Sequence, residues 1–167
     1  MNDAAKKTAL RMIPYGLYIL TARDIDGAPH GATINWVTQT SFVPPLLTMG
    51  IKADSGVYAA LKATGEGVLN VLGKGQAKTA FAFFKPVEVQ GEMLSGEVVH
   101  DGANGVPILD SAPAALECKV VQIVEQGDHH VVIVEVTAAY LPTELAGRAD
   151  ENVLEMKELG EKVFYGG

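Results

Sequence analysis

The chain has one cysteine, one tryptophan, few cations and no apolar run long enough to span a bilayer, and each scarcity removes a class of protein. A lone cysteine, Cys118, excludes an intrachain disulfide framework. It stands between Leu116 and Val120 with no lysine- or histidine-rich surroundings to lower its pKa, so it reads as a small buried hydrophobe rather than a reactive thiol. Lys plus Arg number 13 against 20 Asp plus Glu, a net charge of −7 with no basic run, which argues against nucleic acid as a partner. The N-terminus, MNDAAKKTALRMIPYG, has no long apolar segment. The expectation is a protein with no membrane partner, cytoplasmic. Ser-His-Asp ordering, a G-x-S-x-G elbow, a Walker loop and a G-x-G-x-x-G fingerprint are all missing.

At 167 residues the chain suits a single domain, 1–167, with enough length to bury a core. Residues 3–12 space Ala5, Ala9 and Met12 as a short helix behind Asp3, ended by Pro14 and expected to pack across the body. Strands are expected from Gly16 to Arg23 and through GATINWV, joined by an Asp26-Gly27 hairpin, and again at Leu46 to Ile51 and Gly67 to Leu72. Ser55 caps a helix to about Ala63, with Gly65 closing it. Gln76 to Phe84 reads as another helix, stopped by Pro86, and residues 87–112 read as an irregular excursion. Ala114 to Glu125 and His129 to Tyr140 form a hairpin over Gln126-Gly127-Asp128. About six such strands with helices between them suggest a small antiparallel barrel.

Two segments carry candidate chemistry. In GATINWVTQTSFVPP, the polar groups of Asn35, Thr38, Gln39, Thr40 and Ser41 crowd into seven positions before Pro44-Pro45 ends sheet pairing. Such a run builds either a polar cradle for a ligand or an ordinary threonine-rich exposed strand. In Lys52-Ala53-Asp54-Ser55 a lysine precedes a helix start, where free N–H groups and the helix dipole favour a phosphate. The alternative is a plain Ser or Asp cap with a solvated lysine, and Asp54 would compete with an anion. His129 and His130, adjacent on a strand, must point to opposite faces. No matching second pair of ligands accompanies them, which disfavours a metal. Trp36, Phe81, Phe83 and Phe84 read as core aromatics, and Glu135 stands out as a carboxylate in an apolar strand.

Taken in order, PYGLYILTA at 14–22, GATINWVTQTSFVPPLL at 31–47, IKADS at 51–55, VLNVLGKGQ at 68–76, AFFKP at 82–86, GVPIL at 105–109, ALECKV at 115–120 and GDHHVVIVEV at 127–136 resemble the flavin reductase-like family of FMN-binding split barrels. The closing FYGG at 164–167 resembles its flavoredoxin-like branch, although LEMKELGEKV before it departs from that branch's shorter pattern. The resemblance implies a mainly β, six-stranded antiparallel split barrel with inserted helices, working as a homodimer. It implies FMN as cofactor and NAD(P)H as reductant, with electrons passed to free flavin or to an acceptor protein. By the same resemblance Asn35, Trp36, Val37 and Thr38 would border the isoalloxazine, and Thr40, Ser41, Lys52 and Ser55 would hold the ribityl phosphate. His129 would stand where the reductant docks, and Tyr165 would close over it. Two alternatives remain at this point: an electron carrier of the same fold reduced by a protein partner, and a barrel that binds a small anion and catalyses nothing.

Overall fold

The structure is a computed structural model and describes residues 1–142 and 144–166. Helix α1 (Asp3–Arg11) leads into β1 (Tyr18–Arg23), β2 (Pro29–Ile34), β3 (Val37–Ser41) and β4 (Leu46–Lys52). Helix α2 (Gly56–Thr64), β5 (Glu66–Val71) and α3 (Ala77–Ala82) follow. Four short strands come next: β6 (Val89–Gln90), β7 (Met93–Leu94), β8 (Glu97–Asp101) and β9 (Pro107–Leu109). The long β10 (Ala114–Val124) and β11 (His129–Tyr140) complete the set.

Seven strands form one antiparallel sheet in the order β2-β1-β5-β10-β11-β4-β3. Its two edges, β2 and β3, are consecutive in the chain, with only Asn35 and Trp36 between them. Three Cα–Cα steps reach roughly 11 Å, whereas six strand spacings laid flat cover about 29 Å. The sheet therefore curls until its edges meet at Asn35-Trp36. The expected barrel class is present, and the count rises from six to seven because GATINWV is two strands on opposite edges rather than one. Residues 87–112, expected to be irregular, carry the separate four-stranded sheet β6-β7-β8-β9.

The barrel interior is filled by alternate residues of its strands, among them Leu20, Met49, Ile51, Leu69, Cys118, Val132 and Val134. Helix α2 seals one side with Val57, Tyr58, Ala60 and Leu61, an i, i+3, i+4 set. Ser55 Oγ accepts the Tyr58 N–H at 3.3 Å at the start of α2, and Gly65, at φ +76°, supplies the left-handed turn that ends it. Truncating a side chain as buried as Leu61 costs about 2–5 kcal/mol. A second cluster outside the barrel joins Leu17, Ile19, Phe83 and Leu109 to Leu154 and Leu159 of the C-terminal segment. The segment is tied to the body by bridges Gly16 to Glu155 and Gly73 to Val153.

Helix α1 departs from expectation. Asn2 rather than Asp3 caps it, accepting the Ala5 N–H at 3.1 Å, and none of its side chains is buried. No helix among the described residues is long and apolar enough to cross a membrane.

Candidate functional site

A cavity of about 410 Å³ opens where the two sheet edges meet. Asn35 lines it from the edge crossing, Gly50, Ile51 and Lys52 from the end of β4, Ser55 from the cap of α2, His129 from the start of β11, and Tyr165 from the C-terminal segment. These positions converge because β11 pairs with β4 so that His129 lies opposite Lys52. Five of the expected site residues are thus gathered: Asn35, Lys52, Ser55, His129 and Tyr165.

Trp36 and Val37 flank the cavity without lining it. Trp36 lies across Gly50, where a side-chain carbon would stand only 3.1 Å from the indole, so any larger residue there would push the ring aside. Its ring meets His129 edge-on at 4.6 Å between centroids and Tyr165 at 5.5 Å. Its Nε1–H is buried with no partner among the described residues. Thr38, Thr40 and Ser41 run along edge strand β3, outside the cavity of a single chain. Thr40 Oγ1 lies 3.3 Å from Thr48 Oγ1, and Gln39 Nε2 donates to the Ser41 carbonyl at 3.1 Å.

The polar groups of the cavity already have partners within the chain. Asn35 is 3% exposed and donates Nδ2–H to the Tyr165 carbonyl at 3.1 Å. The His129 side chain is 14% exposed, with Nδ1 2.9 Å from Asp128 Oδ1 and Nε2 2.6 Å from the Tyr165 hydroxyl. The His129 hydrogen bond holds the Asp128 carboxyl below its ordinary range, which makes Nδ1 the donor. Burial pushes the Tyr165 phenol up. Lys52 Nζ lies 3.0 Å from Asp54, whose hydrogen bond raises the lysine and is itself the reason the carboxyl is lowered. Asp54, expected to compete with an anion, pairs with Lys52, while Ser55 caps the helix start.

His130 points the other way, as adjacent strand positions require. Its Nδ1 is 2.6 Å from the Tyr58 hydroxyl, which donates to Glu125 at 3.1 Å, and Lys62 pairs with the same carboxylate. Phe83 is core and also forms cavity wall, but Phe81 and Phe84 are largely exposed, contrary to the core reading. The buried strand carboxylate is Glu117 rather than Glu135. Its Oε1 accepts from the Tyr140 hydroxyl at 2.7 Å and the Ala103 N–H at 2.6 Å.

Leu17, Phe84, Met156, Val163 and Phe164 also line the cavity and were not singled out as site residues. Three of them lie in the weakly patterned tail, where no periodicity flags them. Apolar walls with a few convergent polar groups, in a volume of this size, are the usual make-up of a cofactor pocket.

Comparison with known proteins finds flavin reductases and related flavoproteins. The flavin reductase (NADH) of Kitasatospora aureofaciens is 35% identical over 127 residues, 75% of this chain and 65% of that protein. Diflavin flavoprotein A 1 of Synechocystis sp. is 34% identical over 81% of this chain, but the chain spans only 24% of it. The chain thus covers less than two thirds of the length of either relative. The crystal structure of the NADH:FAD oxidoreductase of Streptomyces globisporus C-1027 in complex with NAD and FAD fragments superposes with a TM-score of 0.68 at 28% identity, over 77% of this chain and 76% of that one. The styrene monooxygenase flavin reductase of Pseudomonas putida S12 superposes with a TM-score of 0.71 at 26% identity, over 84% and 88%. The profile of the flavin reductase like domain matches residues 10–155, which takes in the curled sheet and every cavity residue except Met156, Val163, Phe164 and Tyr165, and the chain belongs to that family.

Proposed function

We propose that this chain is an FMN-binding, NAD(P)H-dependent flavin reductase that acts as a homodimer and passes electrons to free flavin or to an acceptor protein. The observation that carries the reading is the cavity itself. It gathers Lys52, the Ser55-capped start of α2, Asn35, His129 and Tyr165 around one hollow whose remaining wall is apolar. A ring system with a phosphate tail needs both kinds of lining. The volume, about 410 Å³, lies within the range of small-molecule cofactor sites. The Trp36 Nε1–H, without a partner among the described residues, is a further donor beside the cavity.

Bound flavin would supply the redox chemistry, accepting a hydride from the nicotinamide and releasing electrons onward. The protein's own contribution is positional. Lys52 and Ser55 attract and seat the phosphate, Asn35 offers an amide donor to the ring edge, and Leu17, Phe83 and Val163 exclude water. His129 orients the reductant, its ring held between Asp128 and Tyr165 by hydrogen bonds at both nitrogens.

The homodimer is supported by the exposed stretch just after β3, where Phe42 and Val43 are 86% and 91% exposed side by side. Thr38, Thr40 and Ser41 lie on the same edge and enter the site through a second copy rather than within one chain. Titrating FMN and FAD into the purified protein and following flavin fluorescence tests the cofactor assignment: the reading requires saturable FMN binding, stronger than that of FAD.

A further inference from the structure

The C-terminal strap, residues 163–166, stands between two hollows. On one side is the cavity described above, and on the other is a second of about 360 Å³, lined by residues that include Arg11, Tyr15 and Lys157. Val163, Phe164 and Tyr165 line both. A segment with a hollow on either side is held mainly by its anchors. Asn35 Nδ2 holds the Tyr165 carbonyl at 3.1 Å, His129 Nε2 holds the Tyr165 hydroxyl at 2.6 Å, and Arg11 Nε donates to the Gly166 carbonyl at 3.2 Å. The Arg11 guanidinium also lies over the Phe164 ring, 4.2 Å from its centroid.

Two of these anchors use the cavity's own polar groups. With Tyr165 in place, Asn35 and His129 are satisfied by the strap and not by a ligand. The third anchor comes from outside the cavity, from the last residue of α1, a helix with no buried side chain of its own. Under the strap lies Trp36, its Nε1 close to Gly166 and without a partner among the described residues. A donor buried in this way is unfavourable, so the strap covers a group that another occupant could satisfy.

We propose that Arg11 is a positioning residue that holds Tyr165 in the cavity in competition with the cavity's planar ligand. This deepens the flavin reading above and rests on it. The apparent affinity of such a site is its intrinsic affinity reduced by the fraction of molecules whose strap has moved away. Arg11 lies outside the cavity, so loosening it raises that fraction without touching a group that a ligand contacts.

Trp36 is the only tryptophan, so its emission reports on the strap without any ligand. In ligand-free protein, Arg11→Ala should at least double the acrylamide quenching constant of Trp36 and shift its emission to the red. Arg11→Lys keeps a cation over Phe164 and a donor for Gly166, and should stay near the parent. FMN titrated into Arg11→Ala should bind about three- to tenfold more tightly. Unchanged quenching in Arg11→Ala overturns the latch. Raised quenching with FMN bound no more tightly overturns the competition. Raised quenching, restored by lysine, with no flavin bound by any variant supports the latch and removes the flavin reading instead.

Discussion

The Tyr165 hydroxyl stands 2.6 Å from His129 Nε2, although the two residues are 36 positions apart and one belongs to a strand start, the other to the C-terminal strap. Their contact makes the cavity a product of tertiary folding rather than of any one motif, and the predictions below follow from it.

Removing the charge and hydroxyl at the phosphate end should weaken FMN selectively. Charge-assisted hydrogen bonds contribute roughly 1.5–3 kcal/mol each, so Lys52→Ala with Ser55→Ala should raise the FMN dissociation constant by about tenfold or more. Asp54→Asn should act in the opposite direction, because it frees Lys52 from its present partner and removes a like charge. Fluorescence titrations at two salt concentrations check both signs.

His129 and His130 should separate cleanly. His129→Ala should raise the apparent constant for NAD(P)H by about tenfold in stopped-flow reduction, while FMN is held at least as tightly as in the parent. His130→Ala should leave reduction unchanged and instead lower stability by about 1 kcal/mol, because the Tyr58 hydroxyl loses a hydrogen bond. Equal kinetic effects at both positions would contradict the assignment.

Light scattering of the flavin-loaded protein at micromolar concentration should give twice the mass of one chain. Phe42→Asp with Val43→Asp should shift it toward the single chain, since a charged pair replaces the exposed apolar residues just after β3. A parent protein that already runs as a single chain would refute the dimer.

Cys118 is fully buried, and burial pushes its thiol up to about 12. A folded-state value above the unfolded one means stability is complete below the unfolded pKa and falls as pH rises toward the folded one. Between about pH 9 and 12 this group should lower stability by up to about 1.4 kcal/mol per pH unit, a slope absent from Cys118→Ala. In the native protein at pH 8 the thiol should not react with a disulfide reagent until the chain unfolds.

Local elements were legible because their signals are local. Ser55 and Gly65 bracket α2, and Gly127 turns β10 into β11, whatever the rest of the chain does. The break at Asn35-Trp36 was not legible, because an apolar β-branched run reads the same whether it continues in one strand or crosses to the far edge of a curled sheet. Two-residue strands such as β6 and β7 have no periodicity to detect. Of the site, Lys52, Ser55 and the opposed faces of His129 and His130 followed from chemistry and spacing. Gly50 did not, since its role arises only once Trp36 lies on it, and the strap's contacts with Arg11 and Asn35 are long-range throughout.

The central claim is that bound flavin in this cavity takes electrons from a nicotinamide. Adding NADH or NADPH anaerobically to the purified, FMN-loaded protein tests it most directly. The yellow absorbance should bleach with one of them at a saturable rate and return when oxygen is admitted. A protein that holds FMN yet keeps its full absorbance with both nicotinamides would contradict the reductase assignment and leave a flavoprotein reduced by some other partner.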